Sequence, residues 1–383
     1  MNNDKWAVVV GNGYNNTEAD GNASTTGHGV LYILFLSNTF SGTWTLGTDY
    51  IKISTGNGTV LSPNGLATPL PVDTNGDDKV DVIYAGDLNG NMWKFDVASV
   101  TPASWNVANS GSPLFTAQTG QPIAAAPQVF PHPNGGRMVL FGTGKFIEIV
   151  DATGPFSTQS LYGVWDNGVT VPLTNLVQQT ITSTVVGAGT SFRTVSSNTV
   201  NYGASDKGWY LNLTASAGEA AAFNTDLHAG LALYSTIVPS SNPCTPGEGW
   251  LMALSPLTGT ASSSGSFDAN GDGTIGATEN LASFGSGAST AVAGRQNTTG
   301  ITSTPTILSV PPSASTGSPY QSGVACVGAG CPPPPPPCVG AGCPPPPCGG
   351  SVVYGNGTAG FAQFGIKSNC ANQGRIMWKE ILQ

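Results

Sequence analysis

The sequence predicts an all-β protein, a modified β-propeller built from a repeated strand unit with irregular insertions. Three observations predict it. Turn formers are abundant, with 52 glycines and 29 prolines, as short strands joined by many turns require. No segment of useful length carries a helical hydrophobic period. One unit, a short proline-containing strand before an apolar strand that stops at glycine, recurs at intervals of about 50 residues, which fits propeller blades. A β-sandwich with coincidental turn repeats is the alternative.

The elements follow in order. Trp6–Gly13 is an apolar run halted by glycine, and Val30–Phe35 follows after a polar loop. The run Asp81–Asp87 leads through Leu88-Asn89-Gly90-Asn91 into Met92–Val97. Asn-Gly between two apolar runs is a strong hairpin signal. Arg137–Gly144 precedes a further strand-like run, Lys145–Ile149. The proline-containing strands of the unit are Ala67–Val72, Ala125–Val129 and Thr302–Ile307. Lys207–Leu213, Gly230–Val238 and Gly249–Leu254 continue the pattern. Residues 1–320 are therefore read as the blades, with a truncated first one.

Residues 321–350 break the pattern. Cys326-Val327-Gly328-Ala329-Gly330-Cys331 and Cys338-Val339-Gly340-Ala341-Gly342-Cys343 are each followed by a proline run, ending at Cys348. Proline runs hold a polyproline II conformation and cannot pair in a sheet, so this low-complexity insert should project or lie on the surface. Residues 351–383 return to strand-like sequence, Ser351–Gly355 and Arg375–Ile381, which completes the fold or offers a strand to a partner.

Composition excludes several functions. Charged residues are 9% of the chain, against ~25% in an average globular protein. Net charge is −9, and the 12 Lys and Arg residues are scattered singly, so no basic stripe exists for nucleic acid. No run approaches the ~18 apolar residues of a transmembrane helix. Met1-Asn2-Asn3-Asp4-Lys5 opens straight into an apolar strand without the regions of a secretion signal. A fragment of an exported protein, its signal lying upstream, is the favoured reading. Seven cysteines, five of them between Cys326 and Cys348 and the others at Cys244 and Cys370, form no zinc-type CxxC pair. Disulfides are expected if the protein is exported, and the odd count leaves at least one thiol free or shared with another chain.

Two acidic loops carry the legible chemistry. Seven of the 21 acidic residues (Asp73, Asp77, Asp78, Asp81, Asp268, Asp272, Glu279) fall in them. In the second, Asp268, Asn270, Asp272, the Thr274 carbonyl and Glu279 occupy positions 1, 3, 5, 7 and 12 of a calcium loop, with Gly273 at the turn. In the first, Asp73, Asn75, Asp77, the Lys79 carbonyl and Asp81 occupy positions 1, 3, 5, 7 and 9. Tyr84 stands where the bidentate glutamate would be, and the glycine, Gly76, comes before the expected turn position. Alternate oxygens in a tight loop suit a hard cation of calcium's size, whereas magnesium demands a tighter octahedron. One or two calcium ions (Ca2+) are expected. An Asx-rich turn is the alternative for either loop.

No catalytic motif accompanies these loops. The three histidines, His28, His132 and His228, are far apart, with His28 and His132 read as loop residues. GxSxG, HExxH and P-loop patterns are absent. Trp6, Trp93, Trp165, Trp209, Trp250 and Trp378 fall in or beside strand patterns and are read as core. An enzyme is not expected.

With Trp6–Asn15, Asp73–Phe95, Val139–Phe146 and Gly374–Ile381 in view, the chain resembles the C-terminal propeller domain of the PilY1 family, tip-associated adhesins of bacterial type IV pili. The resemblance implies a quinoprotein-like propeller, exported and held at the pilus tip on the cell surface. It implies that Asp73, Asn75, Asp77 and Asp81 bind calcium and regulate pilus extension and retraction. It implies minor pilins as partners, with adhesion to host or abiotic surfaces. The family's variable N-terminal half has no counterpart here, and the Cys/Pro insert matches no family feature. Pairing of the strand at 375–381 with an edge of a minor pilin is a further expectation. The rival readings are a quinoprotein dehydrogenase, for which no cofactor-ligand set is recognisable, and a lectin-like binder using exposed aromatics.

Overall fold

The computed structural model describes residues 1–14, 16–17, 23–36, 42–187, 189–240, 242, 245, 247–263, 265–269, 275, 291–297, 300–301, 306–309, 351–357 and 360–366. The proline-rich insert, all seven cysteines, Trp378 and the strand expected at 375–381 lie outside them.

Strands β1 (Ala7–Gly11), β2 (Val30–Phe35) and β3 (Tyr50–Ser54) form the first sheet, in that order. The second holds β4 (Leu70–Val72), β5 (Val82–Gly86), β6 (Asn91–Asp96) and the short β7 (Asn106–Val107) and β8 (Phe115–Thr116). Strands β9 (Gln128–Pro131), β10 (Arg137–Gly142), β11 (Ser160–Asp166) and β12 (Val177–Gln179) start the third. The chain then lays down β13 (Ile181–Gly187) and β14 (Thr190–Val195) before returning with β15 (Gly208–Asn212), giving the order β12-β15-β11-β10-β9. Strands β16 (Asp226–His228), β17 (Leu231–Val238), β18 (Glu248–Leu254) and β19 (Gly294–Gln296) join β13 and β14 in the fourth sheet. Strand β20 (Thr306–Ser309) pairs with β21 (Ser351–Gly357), and that with β22 (Gly360–Ile366), so the fifth sheet is built from both sides of the insert.

All-β is thus correct, but the propeller is not. Five open sheets of unequal size are described, one of them with a parallel pair (β12 and β15), and none closes on itself. Four apolar cores lie between successive sheets. One core joins Ile33 to Phe95, the next Tyr84 to Phe141, the third Leu140 to Trp250, and the last Leu251 to Val353. Among the described residues no such core joins the fifth sheet to the first, and the sheets do not close into a ring there. The repeat read from the sequence specifies how each sheet meets the next; it does not specify closure.

The glycine that ends each repeated apolar strand has a steric cause. A Cβ on Gly11 would lie 2.2 Å from the Leu66 carbonyl oxygen, on Gly86 2.2 Å from Ile123 Cγ2, and on Gly142 2.3 Å from Ala221 Cβ. Leu66 leads toward the second sheet, Ile123 toward the third and Ala221 back into the fourth, so each glycine admits a segment that leads into the next sheet. Main-chain hydrogen bonds fix these crossings, from Gly13 N–H to the Leu66 carbonyl (3.1 Å), Ile123 N–H to Asp87 (2.9 Å) and Ala221 N–H to Thr143 (2.9 Å). Close backbone approach is one of the roles only glycine fills.

Two local expectations fail. Lys145–Ile149 is not a strand: the Asp151 carboxylate accepts the N–H groups of Ile147 and Glu148 (both 2.9 Å) and pairs with Lys145 (2.7 Å), which curls the segment. Such local side-chain bonds compete with a ladder. Trp6 is 84% exposed, whereas Trp93, Trp165, Trp209 and Trp250 are buried as expected. His132 is a loop residue as expected, between β9 and β10, and is buried there, stacked on Trp165 (4.2 Å between centroids) with Tyr202 edge-on at 4.4 Å.

His132 makes stability depend on pH. Its Nδ1 accepts the Asn134 N–H (3.1 Å), which places the proton of the neutral ring on Nε2. Burial, and secondly the Lys207 ammonium, hold its pKa below 6.5. A depressed histidine pKa favours the folded state fully above 6.5, and that contribution is lost as pH falls through the folded value. The melting temperature is therefore expected to drop between pH 7.5 and pH 5, and His132→Phe should flatten that part of the profile; an unchanged slope in the variant would assign it to other groups.

Candidate metal centre

Residues 73–81 are the turn of the hairpin formed by β4 and β5. Val72 and Val82 face each other across the ladder, and the Asp81 N–H donates to the Val72 carbonyl (3.0 Å). Inside this frame three side-chain oxygens each accept the N–H two residues ahead: Asp73 from Asn75 (3.0 Å), Asn75 from Asp77 (2.9 Å) and Asp77 from Lys79 (3.0 Å). Asp and Asn suit such turns because the short side chain reaches its own backbone. Asp73 also accepts from Gly76 (2.7 Å) and Asp78 (2.8 Å). These bonds, that from Gly76 foremost, hold its carboxyl below the usual carboxylate range.

Two residues of the turn are left-handed, Gly76 at φ 83° and Asp78 at φ 64°. Asp78 occupies the sixth position, where a calcium loop needs that conformation. The early glycine is therefore no obstacle, since aspartate is among the few residues other than glycine that visit this region.

Asp81 closes the loop from the first sheet-ward position and is 5% exposed. Its Oδ2 accepts both the N–H (2.9 Å) and hydroxyl (2.6 Å) of Thr74, and its Oδ1 accepts from the Asn2 amide (3.2 Å). Burial raises its pKa, but the bonds from Thr74 and Asn2 outweigh this and leave it lowered. Lys79 is turned away to Asp4 (2.6 Å), so its ammonium is held by a partner outside the turn. Asn2 also donates to the carbonyls of Val80 (2.8 Å) and Val97 (3.3 Å), and Arg137 on β10 donates to the Asp73 carbonyl (3.0 Å). The loop thus touches the start of the chain and the third sheet as well as its own.

The donor set, carboxylates with an amide and main-chain carbonyls, has the chemistry of a hard-cation site. As the side chains stand, they are engaged with backbone N–H groups. Among the described residues no three Asp, Glu, His or Cys side chains are gathered at metal-binding distance. The backbone is left-handed at the sixth position, and the carboxylates are turned onto the turn's own N–H groups.

Of the second loop only Asp268, Ala269 and Ile275 are described. Phe267 is buried and bridges Ile366 of β22, and Ala269 is buried behind it. Asp268 offsets part of the burial that pulls the Arg295 guanidinium down to about 10. Asn270, Asp272, Thr274 and Glu279 lie outside the described residues.

Three polar clusters escaped the sequence reading. Asp87, fully buried, gathers Asn64, Asn91 and Trp93. Asp166 joins Lys94 and Tyr84 (both 2.6 Å) across the second and third sheets. Arg193 pairs with Glu219 in the fourth sheet's core. Only Asp87, next to its Asn-Gly turn, had a local signal.

An all-β domain carrying an acidic hairpin loop is the class of protein so defined. The family model described as the PilY1 beta-propeller domain matches residues 1–186. A type IV pilus biogenesis factor PilY1 of Pseudomonas aeruginosa is 34% identical over 319 residues, covering 72% of this chain and 26% of its own. A PilY1 homolog of Xylella fastidiosa is 31% identical over 278 residues, covering 68% of this chain and 18% of its own. The crystal structure of the Pseudomonas aeruginosa PilY1 C-terminal domain superposes with a TM-score of 0.70 at 26% identity, covering 96% of this chain and 70% of that one. The chain belongs to the PilY1 family. It spans about a quarter of the length of the Pseudomonas relative (26%). No helix among the described residues is long and apolar enough to cross a membrane.

Proposed function

We propose that this chain is a non-enzymatic module of a type IV pilus biogenesis factor, working outside the cell at the pilus tip, whose Asp73–Asp81 loop binds calcium. The observation that carries the reading is the hairpin turn itself: alternate oxygens at 73, 75 and 77, a left-handed sixth residue and a closing aspartate. Membership of the family supplies the pilus context.

The loop's contacts supply a mechanism. An ion drawing in Asp73, Asp77 and Asp81 cancels their mutual repulsion and competes for Asp81, which Asn2 now holds. Calcium occupancy then alters how the first residues and the third sheet grip the loop, through Asn2 and Arg137. A surface that presents minor pilins with an ordered edge only when calcium is bound would make assembly calcium-dependent. A second ion at Asp268–Glu279 would play a structural part.

Purified minor pilins offered to the chain with calcium, and again with a chelator, test the reading. Retention in calcium, lost with chelator and weakened about tenfold or more in Asp77→Ala, which removes one ligand charge, is the expected result. Deletion of 375–383 should abolish retention if that strand makes the contact. Equal capture with and without calcium would overturn the calcium-dependent part.

A further inference from the structure

Beside the loop, a cleft of about 710 Å3 opens between the second and third sheets, walled by Thr74, Tyr84, Lys94, Asn134, Arg137 and Asp166. Its floor is electrically balanced. Buried Asp166 pairs with Lys94 (2.6 Å), accepts from the Tyr84 hydroxyl (2.6 Å), and takes the Gly168 N–H on its other oxygen (3.0 Å). Burial, then the charge of Asp166, pushes the Tyr84 phenol well up, which keeps it a donor.

Arg137 is different. It stands opposite Asp166 in the ladder between β10 and β11, yet pairs with no carboxylate among the described residues. The guanidinium is half-buried, and its Nη2 donates to the Asp73 carbonyl (3.0 Å). Five donors in a fixed fork are available to it, and its natural complement is a planar carboxylate. With Lys94 and Asp166 cancelling, the cleft holds one uncompensated positive charge, which matches a single carboxylate better than a doubly charged phosphate. The rest of the lining is uncharged: Asn134, Asn167 and the Gly135-Gly136 turn are polar, and Val82 and Pro131 are apolar.

We propose that this cleft binds a carboxylate-bearing ligand, a peptide C-terminus or an acidic side chain, with the carboxylate held by the Arg137 guanidinium. The site borders the acidic loop, sharing Thr74 and the Arg137 bond to Asp73 with it, but carboxylate binding rests on neither the calcium nor the pilus reading.

A reporter is built in, because the Trp165 indole N–H donates to the Gly135 carbonyl (2.8 Å) on the cleft wall. The whole chain, isotopically labelled, would be titrated with three probes and followed by NMR. They are N-acetyl-trialanine with a free carboxylate, the same peptide as its amide, and N-acetyl-Ala-Glu-Ala amide. Saturable shifts of the Trp165 indole and of the Gly135, Gly136 and Gly168 amides are expected with a carboxylate probe and not with the neutral one. Which of the two carboxylate probes binds tells a chain terminus from an acidic side chain. Arg137→Gln, which keeps an amide donor for Asp73, should weaken binding about tenfold or more. Equal shifts from the neutral probe, no saturable shift from either carboxylate probe, or unchanged binding in a folded Arg137→Gln would each overturn the proposal. The probe comparison on the unaltered protein stands even if the variant fails to fold.

Discussion

Glu219→Ala is expected to lower the stability of the protein by about 3–5 kcal/mol, the cost of leaving one member of a buried ion pair without its partner. Arg193 and Glu219 are 1% and 0% exposed, with Nη1 and Oε1 2.6 Å apart. The Thr236 hydroxyl donates to the same oxygen (2.7 Å), and the guanidinium carbon lies 3.7 Å from the Trp250 ring centroid. Removing the carboxylate leaves a guanidinium that cannot reach water, in the core between the third and fourth sheets. Denaturant unfolding should show a lower midpoint with an unchanged slope. Replacing both members, Arg193→Met with Glu219→Leu, should recover most of the loss, because the apolar pair carries no desolvation penalty. A loss below about 1 kcal/mol in the single variant, the size found for exposed pairs, would mean that the pair is solvated.

Asp87→Ala should be nearly as damaging, at about 3 kcal/mol or more, since each buried donor left without an acceptor costs about 1–3 kcal/mol. Oδ1 of this buried carboxylate accepts the N–H groups of Asn89 (3.0 Å) and Asn91 (2.8 Å). Oδ2 accepts from the Asn64 amide (2.7 Å), the Trp93 indole (2.7 Å) and the Asn91 amide (2.9 Å). The carboxylate thus ties the turn between β5 and β6 to the segment that brings the chain in from the first sheet. Asp87→Asn keeps one acceptor and should lose about half as much. The Trp93 indole N–H is the probe: fast hydrogen exchange in Asp87→Ala, with slow exchange kept elsewhere in the second sheet, is expected. A protected indole in the variant would show that another acceptor replaces Asp87.

Much of the fold was legible where a signal is local. Val30–Phe35 has the bounds read from its apolar run, and the hairpin through Leu88-Asn89-Gly90-Asn91 forms where the Asn-Gly pair places it. The glycine-ended strands were visible as a pattern, and the crossings at Leu66, Ile123 and Ala221 give its cause. Closure was not legible, because it depends on what meets the outer faces of the first and last sheets, and no periodicity encodes that. The turn of the first acidic loop was readable from its Asp and Asn spacing. Its tethers to Asn2 and Arg137 were not, since they span 79 and 64 residues. For the same reason Arg193 with Glu219, and Asp166 with Lys94 and Tyr84, carry no mark in the sequence. Exposure of Trp6, against its apolar context, belongs with these: strand pattern alone does not say which face is covered.

Calorimetric titration with calcium of the unaltered chain beside Asp77→Ala and Asp272→Ala decides whether the Asp73–Asp81 loop takes a calcium ion. Saturable binding to the unaltered chain is expected, with one site lost in Asp77→Ala and that site retained in Asp272→Ala. Binding unchanged by Asp77→Ala, or no binding by the unaltered chain, would contradict that reading.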